Sequence, residues 1–206
     1  MSTLRDEDVE TRRIYFLFDF PNIAKTCASV KHQLFLNELV DWNQLRRRLK
    51  EHVHANYPGN LPLEFVVFVN RRSAKQSRGR IKNLRKSGFR VVVKRNDDQS
   101  IGVAKEIYEY VKQILQKPDT AAIYILGNDL DSAEIISSYM IDPVSEVQED
   151  GRYHQIYDGN TDLWVGIMPS GFDQYTNTDR FVDSVKILNL EGLSGVFFGS
   201  DITHSF

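Results

Sequence analysis

Five short apolar runs constrain this chain more than any other feature. They are Ile14-Tyr15-Phe16-Leu17-Phe18, Glu64-Phe65-Val66-Val67-Phe68-Val69, Phe89-Arg90-Val91-Val92-Val93, Ala121-Ala122-Ile123-Tyr124-Ile125-Leu126 and Leu163-Trp164-Val165-Gly166-Ile167-Met168. Each has strand length and is rich in β-branched and aromatic residues. The runs are nearly continuous rather than alternating, so both faces of each strand must be buried. A parallel sheet covered by helices achieves that. The intervening segments read as helices. Leu39, Trp42, Leu45, Leu49 and Val53 place one apolar stripe on a helix over 41–54. Ile81 and Leu84 give a narrow apolar side to a helix over 74–86 that Gly88 ends, and Ile101, Ala104, Ile107, Tyr108, Val111 and Leu115 repeat the pattern before Pro118. The expected fold is α/β: a three-layer, doubly wound sandwich with a mainly parallel central sheet and right-handed crossovers.

A chain of 206 residues suits one domain. The expectation is a charged tail over 1–13 and a single domain over 14–206. Pro143, Gly151, Gly159 and a group of acids interrupt the pattern around 141–160, predicting an acidic inserted loop or hairpin. Val196-Phe197-Phe198 is a candidate edge strand. The lone Cys27 rules out an internal disulfide and a cysteine-built zinc site. The longest apolar run is far short of a membrane span, and residues 1–13 alternate acids with bases unlike a signal peptide. A soluble, intracellular (cytoplasmic) protein with no membrane partner is expected.

The net charge of −2 conceals an asymmetry. Residues 1–118 hold 23 Lys/Arg and 13 Asp/Glu, whereas residues 119–206 hold 3 and 15. From Arg71 to Arg95 there are eleven bases and no acid. Two uses fit: binding phosphates, or association through opposite charges, either as a homo-oligomer or with a basic protein on the acidic C-terminal third. The triplet Arg46-Arg47-Arg48 reads as a solvated helix face, the five histidines as surface residues, and Trp42 and Trp164 as core.

In an open parallel sheet, ligands bind beyond the carboxyl ends of the strands. The first run ends in Asp19-Phe20-Pro21-Asn22, the third in Lys94-Arg95-Asn96-Asp97-Asp98, and the fourth in Gly127-Asn128-Asp129-Leu130-Asp131. Acids from three separated segments would repel one another on one edge, and a bound cation relieves that cost. Oxygen-only ligands suit Mg²⁺ or Mn²⁺. The alternative at each position is a helix cap: Asp131-Ser132-Ala133-Glu134 has the capping-box pattern, and Asp98 stands where it could cap the next helix. Asp19 is followed by Pro21 with no evident helix start.

The ordered set of these three segments, in this strand–helix context, resembles the NYN family of PIN-like nucleases over roughly residues 14–138. That resemblance implies a Mg²⁺- or Mn²⁺-dependent ribonuclease with a Rossmann-like, PIN-like fold. It implies Asp19, Asp98 and Asp129 as direct or water-mediated metal ligands, Asp131 as ligand or base for the attacking water, and Asn22 as an amide that orients Asp19 or contacts the scissile phosphate. The chain departs from the family pattern at Phe20-Pro21, at Arg95 in place of lysine, at Leu130, and at Ala104, where the family often has an acid. Glu106 and Glu109 are the nearest replacements for that acid.

The basic stretch follows the second strand on the same edge. Arg71, Arg72, Lys75, Arg78 and Arg80, with Arg95, are expected to hold nucleic-acid backbone phosphates without reading sequence. RNA is the expected partner, and nothing in the sequence separates RNA from DNA. The rival reading is an RNA-binding protein with an inactive nuclease site. A phosphatase with Asp19 as nucleophile lacks its usual second Asp, because Pro21 holds that position, and a charge-paired scaffold is the remaining class.

Overall fold

The computed structural model describes residues 12–24, 40–76, 78–94, 103–117, 119–127, 146–147, 153–154, 161–167 and 185–189. In chain order these form β1 (Arg13–Asp19), α1 (Trp42–Asn56), β2 (Leu63–Val69), α2 (Arg71–Gln76), α3 (Arg78–Lys86), β3 (Arg90–Val93), α4 (Ala104–Leu115), β4 (Thr120–Leu126), β5 (Glu146–Val147), β6 (Tyr153–His154), β7 (Asp162–Ile167) and β8 (Val185–Asn189). Six strands make one sheet in the order β3-β2-β1-β4-β7-β8, and every pair in it is parallel. The chain is an α/β sandwich.

Both faces of the sheet are covered, as the continuous apolar runs require. Ile14, Phe16 and Phe18 face a core that includes Leu45, Leu49 and Val53 of α1 and Ile81 and Leu84 of α3. Tyr15 and Leu17 point the other way, against Val103 and against Ile107, Val111 and Ile114 of α4. The handedness rule explains this division. Stepping from β1 to β2 to β3 in one direction puts both crossover helices on one face, and the return from β3 to β4 puts α4 on the opposite face.

One face carries a row of stacked rings across four strands. Phe16 lies opposite both Phe65 and Tyr124, and Tyr124 lies opposite Trp164. The ring centroids are 4.8 Å apart for Phe16–Phe65, 4.5 Å for Phe16–Tyr124 and 5.3 Å for Tyr124–Trp164, all stacked. A cation closes each end: the Arg46 guanidinium over Phe65 at 5.2 Å and the Lys186 ammonium over Trp164 at 5.4 Å. Polar ties secure the amino-terminal side. The Tyr57 hydroxyl donates to Asp162 at 2.7 Å and accepts from the Trp164 indole at 2.8 Å, while Lys186 also reaches Asp162 at 2.7 Å.

Several expectations need correction. Arg46 is not part of a solvated face: its Nη1 donates to the Ser87 carbonyl at 2.9 Å as it covers Phe65, leaving only Arg47 and Arg48 exposed beside Glu51. Gly88 is required here twice over, by its φ of +81° and because a Cβ would meet Arg46 Nη1 at 2.5 Å. His52 is half-buried, edge-on to Tyr124 and Trp164. The helix expected over 74–86 begins earlier, as α2 and α3. Among the described residues the far edge strand is β8, which the sequence reading did not single out, and Val196-Phe197-Phe198 lies outside the described residues. The insertion around 141–160 contains an antiparallel hairpin pair, β5 with β6. No helix among the described residues is long and apolar enough to cross a membrane.

Truncating Phe16 removes the ring shared by two stacks in a fully buried position. Phe16→Ala is expected to cost about 3–5 kcal/mol in urea denaturation. Burial holds the His52 pKa below its ordinary 6.5. The unfolded chain therefore binds the proton more readily than the folded one, and stability, complete above pH 6.5, falls as pH drops below it. A His52→Gln variant should show a shallower loss of urea stability across that interval.

Candidate active site

The strand order reverses between β1 and β4: the chain moves outward from β1 to β3 and then returns to β1's other side. Ligand crevices in open parallel sheets form at the carboxyl ends of the two strands flanking such a reversal. Phe18 pairs with Leu126, so the next residues, Asp19 and Gly127, end the two strands side by side. Asp19 is buried, with 6% of its surface exposed. It is the first polar residue after five buried apolar ones, and its place at this edge follows from the length of that run.

A helix does start at Asp19, contrary to the expectation. Residues 20–24 are helical, and Asp19 Oδ1 accepts the Asn22 backbone N–H at 3.0 Å, the N-cap arrangement. Pro21 falls in the first turn, where an amide proton has no intrahelical partner, so proline marks the start rather than forbidding it. Asn22 contacts Asp19 through its backbone N–H, where the sequence reading looked to its side-chain amide.

The neighbouring strand ends are polar as well. Asn70 follows β2 and its Oδ1 accepts the Ser73 N–H at 2.7 Å, which fixes the start of α2. Lys94 follows β3, and its backbone N–H still donates to Val69 at 2.8 Å. The Lys94 side chain is only 5% exposed, and its Nζ lies 3.8 Å from Glu106 Oε1 in the first turn of α4. Glu106 Oε2 is buried without a hydrogen-bond partner among the described residues. Glu106 was one of two candidates to replace the acid missing at Ala104, and it is the one directed at the strand ends; Glu109 is exposed. The signal lay in the spacing, because Glu106 stands three residues after the buried Val103 and beside buried Ile107, at the border of the apolar stripe. Lys94 was named only as a strand end.

Asp98, Asp129, Asp131 and Arg95 lie outside the described residues. The N-cap position of α4 is Val103, with no side-chain cap, so the described helix starts at Ala104, six residues beyond Asp98. Among the described residues no three Asp, Glu, His or Cys side chains come together as a metal cage.

Arg71, Arg72, Lys75, Arg78 and Arg80 are all exposed on α2 and α3. Among the described residues no acid pairs with Arg72, Lys75, Arg78 or Arg80. Because α2 begins directly after β2, Arg71 and Arg72 stand at the carboxyl edge, and α3 carries the positive charge away along the sheet's outer flank. Compared with protein-family models, curated proteins and solved structures, the chain finds no match.

Lys94 and Glu106 are coupled at the edge of the core, so removing Lys94 strands the Glu106 carboxylate. Lys94→Met is expected to destabilise the protein by about 1–3 kcal/mol. Adding Glu106→Gln should recover most of that loss, a coupling that a double-mutant cycle in urea would measure.

Proposed function

We propose that the protein is a metal-dependent ribonuclease that hydrolyses RNA phosphodiester bonds at the carboxyl edge of its sheet. The observation that carries this reading is the buried Asp19 at the β1/β4 reversal, next to an exposed basic surface that opens from the same edge. The donor set suits a hard divalent ion, Mg²⁺ or Mn²⁺: Asp19 at the edge, and Glu106 with a buried oxygen that lacks a hydrogen bond. Asp98, Asp129 and Asp131, which follow β3 and β4 in the chain, complete it. Such an ion, when bound, supplies phosphate polarisation and a more acidic water. Asp131 is the base assigned to that water, and the Asn22 amide N–H keeps Asp19 in one orientation. Lys94 limits the mutual repulsion of the carboxylates. Arg71, Arg72, Lys75, Arg78, Arg80 and Arg95 hold the RNA backbone. The resemblance to NYN nucleases supports the same assignment.

A second reading is an RNA-binding protein without cleavage. It is favoured by the N-cap role of Asp19, which gives that carboxylate a structural reason to be present. Asp19→Asn separates the two, because Asn caps a helix as well as Asp does while being a much poorer ligand for a hard cation. Wild-type protein with Mn²⁺ is expected to cleave a single-stranded RNA, and Asp19→Asn and Asp98→Asn to lose about 10²-fold or more in rate with unchanged thermal stability. Binding retained with no cleavage by the wild type would establish the second reading instead.

A further inference from the structure

A groove runs along the outer flank of the sheet, between α3 and the edge strand β3. It encloses about 580 Å³, with Ala74, Ile81 and Val93 as its apolar floor and Arg78, Lys82, Arg85 and Lys86 as its rim. Val93, at 37% exposure, is the one large hydrophobic side chain exposed among the described residues. The rim bases are exposed, and among the described residues no acid is paired with them. Arg78, Lys82 and Lys86 recur at four-residue steps on one side of α3, about 6 Å apart along the axis. That step is of the order of one nucleotide of extended backbone.

The groove lies near the candidate active site without sharing a lining residue with it. Asp19 lies level with Phe68 and Phe68 with Val92, so Val93 is one residue beyond Asp19's level on the second strand over. Two strand spacings separate them, about 10 Å.

We propose that this groove holds one or two unpaired nucleotides of a single-stranded RNA, with bases against the Ala74–Ile81–Val93 floor and phosphates along the Arg78–Lys82–Lys86 rim. It thereby makes unpaired RNA the substrate class of the carboxyl edge, an inference that rests on the RNA reading above. A duplex keeps its base faces stacked inside and offers only phosphates, so it leaves the floor uncovered. A single strand covers floor and rim together. An acidic peptide would satisfy the rim charges too, but the continuous path of positive charge from α3 through Arg72 to the strand ends matches a chain with one charge per unit.

The test is fluorescence anisotropy of a labelled short oligouridylate and of a blunt RNA duplex, in EDTA so that cleavage does not enter. Lys82→Glu and Val93→Asp are each expected to weaken oligouridylate binding about 10-fold. Lys50→Glu, which makes the same charge change on exposed α1, should alter it less than about 2-fold. The wild type should prefer the single strand. Equal binding of the duplex, or equal losses for Lys50→Glu and Lys82→Glu, would overturn the proposal. So would polyglutamate binding that Lys82→Glu abolishes while RNA binding persists. Groove-dependent binding in EDTA together with no cleavage in a parallel assay with Mn²⁺ removes the nuclease reading and keeps the groove, whereas Mn²⁺-dependent cleavage that ignores these variants does the reverse.

Discussion

The stack of rings from Phe65 through Phe16 and Tyr124 to Trp164 fixes the register of the four central strands. A one-residue slip of any strand would turn its aromatic residue to the other face and break the row. With register fixed, the carboxyl ends are fixed too. Asp19 is three residues beyond Phe16, and Gly127 three beyond Tyr124, so the two strand ends at the order reversal fall level. The candidate site thus inherits its alignment from ring packing in the core, and the cation over each terminal ring keeps the row from fraying at its polar margins.

The fold was largely legible because the strands announce themselves. A strand buried on both faces has few polar positions to confuse its reading, and five of the six sheet strands fall on the apolar runs read in the sequence. β8 was missed because Val185–Asn189 is a short strand with Lys186 and Asn189 in it. Arg46 and His52 were misread for a shared reason. Both sit on helix α1 among polar neighbours, and their burial comes from Phe65, Tyr124 and Trp164, rings far away in sequence. No local pattern encodes such a contact.

The site was legible to a different degree. That Asp19 ends a central strand follows from counting. That it also caps a helix was hidden because Pro21 was taken as a breaker rather than as a first-turn residue. The two roles are compatible in physical terms. A single backbone amide occupies one lone pair of Oδ1, and a carboxylate has several. Lys94 with Glu106 shows the limit from the other side: two opposite charges at the edge of the core are found only when strand end and helix start are brought together.

The charge asymmetry takes on spatial meaning once the strand order is known. The described part of the basic stretch belongs to α2, α3 and β3, on one side of β1, whereas β7 and β8 lie on the other. The β3 flank of the sheet is therefore positive, and Asp19 stands two strands in from it, at the reversal between β1 and β4. Screening at physiological salt confines that field to about 8 Å, so it acts on what lies along α2 and α3 and not on the far edge at β8. If RNA is the substrate, as proposed, this one-sided charge would hold its backbone beside the strand ends in fewer orientations than a uniformly basic surface would.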